Sequence, residues 1–231
     1  MAMHGWIWHL GLAALMMVAL LGFAACRRGS LQELTERPGR GIALPPPRPK
    51  GEMSFEETLS RRRSVREFTD APLTWEQIGQ LLWATQGLTA DWGGRTAPSA
   101  GALYPLEVYV AMAEGVYHYL PRGHRVEVIS SSDVRQALWR SALSQDCIRK
   151  APALFIIAAV YERTEHKYGS RAERYVKLEA GHACQNLLLQ AVALDLGAVP
   201  VGAFYDDQVQ AVLGLPAGQE PLYLVAVGHP R

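Results

Sequence analysis

The run Arg61-Arg62-Arg63-Ser64-Val65-Arg66 places four guanidinium groups and a hydroxyl within six residues. In an extended chain alternate residues share a face, so Arg62, Ser64 and Arg66 would project together. Guanidinium forks beside a hydroxyl suit a phosphate monoester, which is dianionic and rich in acceptor oxygens. Four arginines taken alone more often make a solvated basic turn near a membrane surface. A second stretch, Ala97-Pro98-Ser99-Ala100-Gly101-Ala102-Leu103-Tyr104-Pro105, sets small residues around a serine. It would let backbone come close to something flat and leave amides free to donate, although any tight turn before a strand looks alike. The third is Gly197-Ala198-Val199-Pro200-Val201-Gly202-Ala203-Phe204, either a strand whose glycine admits a ligand or simply a strand with a bulge. There is no G-x-G-x-x-G, no G-x-x-x-x-G-K-[ST] and no G-x-S-x-G, so a dinucleotide fingerprint, a P-loop and a nucleophile elbow are unsupported. These residues by themselves reach as far as a planar ligand bearing a phosphate.

The elements that must position them are legible in the pattern. Ser54 with Glu57 forms a capping box that starts a short helix to about Arg62. Thr74 with Gln77 starts a second helix, whose apolar stripe is Ile78, Leu81, Leu82 and Thr85 and which Gly87 closes. LEVYVAM (Leu106 to Met112) alternates like a half-buried strand, turns at Glu114-Gly115 and continues as VYHYL. A helix is expected from about Asp133 to Ser144, then a central strand over ALFIIAAV (Ala153 to Val160). The longest helix should run from about Ala172 to Leu196. A strand near Val199 to Phe204, a short helix capped by Asp206 and a strand from Leu222 to Val227 follow. In the long helix Ala180, Gly181, Ala183 and Cys184 make a small-residue patch before Leu187, Leu188 and Ala191. That patch suits either a second subunit or the chain's own sheet. Mixed helices and strands without a repeating βαβ unit imply an α+β fold.

The 231 residues allow one sizeable domain and an appendage, and a net charge of +1 argues against nucleic acid as partner. Three cysteines and scattered histidines give neither a disulfide framework nor a metal-ligand spacing. Residues 1–28 are set apart. Leu10 to Ala25 is an uncharged run of 16 residues, nearer a signal-peptide core than the roughly 20 that span a bilayer. Phe23-Ala24-Ala25-Cys26 resembles a lipobox with Phe23 where leucine is usual, which would make Cys26 a lipidated terminus. Arg27-Arg28 directly after the run favours instead a signal anchor with the domain on the cytoplasmic side. Residues 29–53, with Leu44-Pro45-Pro46-Pro47-Arg48-Pro49, read as a stiff linker poorly able to enter a core, which leaves 54–231 as the folded domain.

Taken in order, several segments resemble the nitroreductase-like superfamily, and within it the SagB/ThcOx-type dehydrogenases. They are RRSVREF (Arg62 to Phe68), QLLWATQG (Gln80 to Gly87), PSAGALYPLEVYV (Pro98 to Val110), VYHY (Val116 to Tyr119), KYGSRAERY (Lys167 to Tyr175), GHACQNLLLQA (Gly181 to Ala191), VPVGAF (Val199 to Phe204) and the final VGHP. The resemblance implies a central, mostly antiparallel sheet flanked by helices, and a homodimer with FMN at its interface. It matches Arg62, Arg63, Ser64 and Arg66 to the positions holding the FMN phosphate and ribityl chain. It matches Pro98, Ser99, Ala100, Gly101 and Ala102 to a loop that contacts the flavin from the partner subunit. Val201 and Gly202 match backbone near the reactive edge of the ring, and Gly228 and Arg231 match the closing turn on the phosphate side.

The resemblance implies an FMN-dependent oxidoreductase, with a SagB-type dehydrogenase acting on a small molecule or peptide as the leading subclass. An NAD(P)H-dependent nitro or quinone reductase and a non-catalytic, membrane-tethered flavin-binding module are the rival readings. A dehydrogenase must also remove a proton, so it needs a base within hydrogen-bond reach. Lys167 and Tyr168, expected in a loop before the long helix, resemble a Lys-Tyr pair implicated in catalysis in SagB-like enzymes. They are assigned that role here.

Overall fold

The structure, a computed structural model, describes residues 41–231. The segment 1–28, Cys26 included, on which the membrane expectation rests, and the start of the linker lie outside the described residues. Among the described residues no helix is long and apolar enough to cross a membrane.

The sheet is built around β5 (Ala153–Val160), whose first seven residues are all buried. It pairs antiparallel with β2 (Leu106–Met112) on one side and β7 (Gln219–Gly228) on the other. Beyond β2 come β3 (Gly115–Leu120), β4 (Arg125–Ser130) and β1 (Gly41–Ala43), and beyond β7 lies β6 (Gly197–Val201). All strand pairings are antiparallel, as the resemblance implies.

Helices cover both faces. Phe155 and Ile157 pack toward α2 (Trp75–Gln86) and α6 (Ala172–Ala193), among Ile78, Leu81, Val176 and Leu187. Leu154 and Ile156 pack toward α3 (Arg135–Ser141), α4 (Asp146–Lys150) and α7 (Asp206–Leu213), among Leu138, Ile148 and Val209. A strand buried on both faces has no reason to alternate, which is why ALFIIAAV is continuously apolar. Each such side chain contributes about 1.5–3 kcal/mol by burial.

Only the second capping box closes reciprocally; at the first, the Glu57 carboxylate turns to Arg61 and the Ser54 hydroxyl caps alone. The Ser54 hydroxyl accepts from the Glu57 N–H at the start of α1 (Phe55–Arg61), and Thr74 and Gln77 cap α2 reciprocally. Gly87 ends α2 with φ −66, so left-handed backbone is not what requires it. A Cβ there would stand 2.2 Å from Trp83 Cδ1.

Two expectations need correcting, and a choice left open by the sequence is decided. The proline-rich stretch is not merely a spacer, because β1 pairs with β4 and Leu44 enters the core. The Leu44 N–H donates to the His124 carbonyl at 3.0 Å, and the Pro45 carbonyl lies 3.0 Å from His124 Nε2. Prolines lack a donor but keep an acceptor, which an edge tolerates. The helix expected over 133–144 is shorter, Arg135–Ser141, because Leu143 and Ser144 adopt φ 54 and 56 beyond its end, and α4 follows as a separate helix. In α6, Ala180, Ala183, Cys184, Leu187, Leu188 and Ala191 are buried against the chain's own sheet. The face that α6 leaves outward carries Leu178 and Gln185 instead.

Candidate active site

The arginine run lies along the free edge of β6. Arg62 caps α1 and the chain leaves it extended, at φ −56 and ψ 123. Ser64 then bridges Ala198, and the Val65 N–H donates to the Ala198 carbonyl at 3.1 Å. An edge strand has carbonyls to satisfy, and this segment answers one of them. Gly197 makes the approach possible, because a Cβ there would stand 2.6 Å from Val65 Cγ1. Arg61 is committed to Glu57 and Asp195, at 3.2 and 3.1 Å. Arg63 folds back on the carbonyls of Ser60 and Arg62, and Arg66 reaches the Ser64 carbonyl at 3.4 Å. Among the described residues no carboxylate pairs with Arg62, Arg63 or Arg66. Arg231 joins this edge, its N–H donating to the Glu67 carbonyl at 3.2 Å. Gly228 is buried, and a Cβ there would meet Pro152 Cδ at 2.6 Å, so close packing explains the residue. Val201 is buried at the end of β6, while Gly202 beyond it is exposed, with open space where a Cβ would stand.

The second group sits at the start of β2. Pro98 through Ala102 lead into a single 3-10 turn, Ala100–Ala102. Gly101, Ala102 and Tyr104 have φ of 63, 54 and 47, three left-handed residues within four positions. Only glycine takes that conformation freely, and Tyr104 is further constrained by preceding Pro105. The Ser99 hydroxyl accepts from the Tyr104 N–H at 2.9 Å. Lys167 Nζ and the Tyr168 hydroxyl oxygen each lie 2.8 Å from where a Cβ on Gly101 would stand. The pair thus faces the loop within one chain. Lys167 and Tyr168 are not in a loop, however. They form the last turn of α5 (Glu162–Tyr168), which Gly169 ends at φ 53. Lys167 is exposed and its ammonium lies 5.5 Å from the Tyr168 ring centroid. Tyr168 is half-buried and packs edge-on against Tyr175 at 5.0 Å.

The arginine edge and this loop are separate patches of one chain. Ser64 flanks β6 and the loop enters β2, three strands further in. At about 4.8 Å per strand that is roughly 15–20 Å. A recess of about 910 Å³ between α1, α2 and α6 contains none of these residues.

Two polar clusters behind the loop escaped the sequence reading. Glu179 on α6 is 3% exposed, and its Oε1 has no hydrogen-bond partner. Burial pushes its carboxyl up to about 7, against the opposite pull of Ser99, Arg95 and Gln86. Arg95 donates to Gln86 Oε1 at 2.9 Å, and its guanidinium stacks 4.7 Å from the Tyr104 ring centroid. The signal was present, since Glu179 falls three residues after Val176 and four before Ala183, on the apolar stripe. The second cluster joins Glu107 of β2, His118 of β3 and Arg163 of α5. His118 Nε2 lies 2.7 Å from Glu107 Oε2, and Arg163 Nη2 pairs with Glu107 Oε1. Burial pushes Glu107 up, but His118 and Arg163 more than offset it and hold the carboxyl below its ordinary range.

The sequence profile of the nitroreductase family matches residues 59–229. The chain belongs to the nitroreductase family. A protein of Methanocaldococcus jannaschii named as a nitroreductase is 45% identical over 184 residues, 77% of this chain and 92% of that one. A crystal structure from Ralstonia eutropha, also named as a nitroreductase, superposes with TM-score 0.75 at 31% identity, over 84% of this chain and 90% of that one. The microcin B17-processing protein McbC of Escherichia coli is 29% identical over 133 residues, 52% of this chain and 48% of that protein. Flavin reductases of Vibrio harveyi and Bacillus subtilis lie further out. This nitroreductase-family chain is an FMN-dependent oxidoreductase, and the reading as a non-catalytic flavin store is set aside.

Proposed function

We propose that the chain is a SagB-type dehydrogenase that works as a homodimer and oxidises a peptide or small molecule carrying a C–H next to an acidic N–H or C–H. What carries this reading is the convergence of Lys167 Nζ and the Tyr168 hydroxyl on Gly101 of the loop matched to flavin contact. The partial likeness to a microcin-processing protein supports it.

FMN fits the residues present. Arg62, Ser64 and Arg66 would hold its phosphate, since the two guanidinium groups pair with no carboxylate among the described residues. The open space at Gly202 suits a flat ring, and Gly101 lets Lys167 and Tyr168 close on the loop beside it. Because arginine edge and loop lie on separate patches, the edge of one subunit and the loop of its partner would build each site. Phe55, Leu59 and Leu178, exposed on α1 and α6, supply apolar surface for that contact. Bound FMN supplies the hydride acceptor. The chain supplies the base: Lys167 takes the proton released as hydride leaves, and the Tyr168 hydroxyl relays or donates it. Each turnover consumes one two-electron acceptor, dioxygen or a quinone.

The test uses a thiazoline-bearing peptide as probe, with thiazole absorbance as readout. Lys167→Ala and Tyr168→Phe should keep FMN and lose about a hundredfold or more in rate. Equal rates in both variants would remove the pair from the chemistry. A wild type that ignores the thiazoline but is bleached by NAD(P)H and turns over a nitroaromatic would decide for the reductase reading, which the flavin reductases among the relatives favour.

We also propose that residues 1–28 attach the enzyme to a membrane, on the apolar run and Cys26. Full-length protein should sediment with membranes and a chain lacking 1–28 should not. Palmitate incorporation abolished by Cys26→Ser would select the lipoprotein, and unlipidated retention would select the anchor. Full-length protein found free in the soluble fraction would reject both.

A further inference from the structure

The strained loop and the helix bearing the proposed base are tied to each other by an ion pair whose carboxylate is largely buried and whose guanidinium is half-exposed. Arg163 and Lys167 are four residues apart on α5 and so share a face. Arg163 Nη1 donates to the Tyr104 carbonyl at 3.1 Å, and Nη2 pairs with Glu107. One turn on, Lys167 meets Gly101 of the same loop. Glu107 is itself fixed, since His118 Nε2 holds its other oxygen at 2.7 Å and the His118 ring stacks on Tyr109 at 4.5 Å. Tyr104 is pinned at its N–H, its carbonyl and its ring. Ser99 accepts from its N–H, Arg163 donates to its carbonyl and Arg95 stacks on its ring. A left-handed, pre-proline tyrosine persists only where its surroundings over-determine it. Arg163 is the one of these three contacts that comes from the Lys167 helix.

We infer that Arg163, oriented by Glu107, is a positioning residue that locks α5 to the Tyr104 carbonyl and thereby sets where Lys167 and Tyr168 face the flavin loop. Its fork matters because one nitrogen must reach a carboxylate while another reaches a carbonyl at a fixed angle. Lysine, a point charge, can make one of these contacts well but not both. The functional part of the inference rests on the dehydrogenase reading above, and the ion-pair lock itself does not.

The experiment compares wild type, Arg163→Lys, Arg163→Met and Glu107→Gln as full-length, FMN-loaded protein. Hydrogen exchange is followed at α5 and at residues 102–106, and the thiazoline-peptide probe gives kcat and KM. In Arg163→Met, exchange in both segments should rise about tenfold or more while FMN content stays equal to wild type. Its kcat should fall about a hundredfold with KM within about threefold, because proton removal and not binding is misaligned. Arg163→Lys and Glu107→Gln should fall between. Unchanged exchange in Arg163→Met overturns the lock. Raised exchange with unchanged kcat, or a loss confined to KM, overturns the positioning role. If wild type fails to oxidise the thiazoline, the dehydrogenase reading fails, and the exchange arm alone still decides the lock.

Discussion

Glu179 sits where helical spacing calls for an apolar side chain, and its protonation is therefore coupled to folding. In the unfolded chain its carboxyl titrates near 4.5, and in the fold at about 7. Between those values the folded state holds the proton and the unfolded state does not, so stability falls as pH rises through that window. The gap, at about 1.4 kcal/mol per pH unit, corresponds to roughly 3 kcal/mol as an upper figure. Glu179→Gln keeps the shape of the neutral acid and should flatten that slope, gaining relative to wild type at about pH 8 but not at about pH 4.5. Denaturant midpoints of the two proteins at both pH values check this, and parallel slopes would show that Glu179 does not titrate in the window. At this scale the sequence displayed residue types but not their surroundings. Arg62, Ser64 and Arg66 stood out because like chemistry was clustered along the chain. Glu107 and Arg163 are 56 residues apart, Glu179 and Arg95 are 84 apart, and each pair is brought together only by the fold.

The elements were legible where the local pattern is also the reason for the structure. The Thr74–Gln77 capping box, the apolar stripe of α2 and the unbroken run of β5 follow from chain-local physics. β1 was not legible, because a three-residue edge strand among prolines is recruited by β4 and has no pattern of its own. α5 was hidden by its charge, as seven residues with a single buried side chain look like a loop. The β6 edge shows one element positioning another, since Gly197 is what lets Val65 close on it. Gly197→Ala would wedge Val65 away and move Ser64 and Arg66 without touching either. Overpacking of this kind costs about 1–3 kcal/mol. Both Gly197→Ala and Arg66→Ala should weaken FMN about tenfold or more, the latter through a charge-assisted contact of about 1.5–3 kcal/mol. Only Gly197→Ala should also lower the unfolding midpoint, and riboflavin, which lacks the phosphate, should bind the Arg66→Ala protein about as well as wild type. Isothermal titration and a melting curve separate the two effects. Equal losses for FMN and riboflavin in Arg66→Ala would remove Arg66 from the phosphate.

For the whole molecule, the site as proposed does not exist in a single chain. The phosphate edge along β6 and the loop entering β2 are separate patches, and the outward face of α6 with its neighbour α1 leaves Phe55, Leu59 and Leu178 exposed. The sequence could suggest a dimer only through its resemblance. The small-residue patch, which suited either a second subunit or the chain's own sheet, is spent on the chain's own core. Sedimentation velocity of the purified protein, followed at the visible absorption band of the flavin, tests the two-chain site most directly. The account predicts that all sedimenting colour moves as one boundary at the mass of two chains, with one FMN per chain. Flavin moving at the mass of a single chain would contradict it.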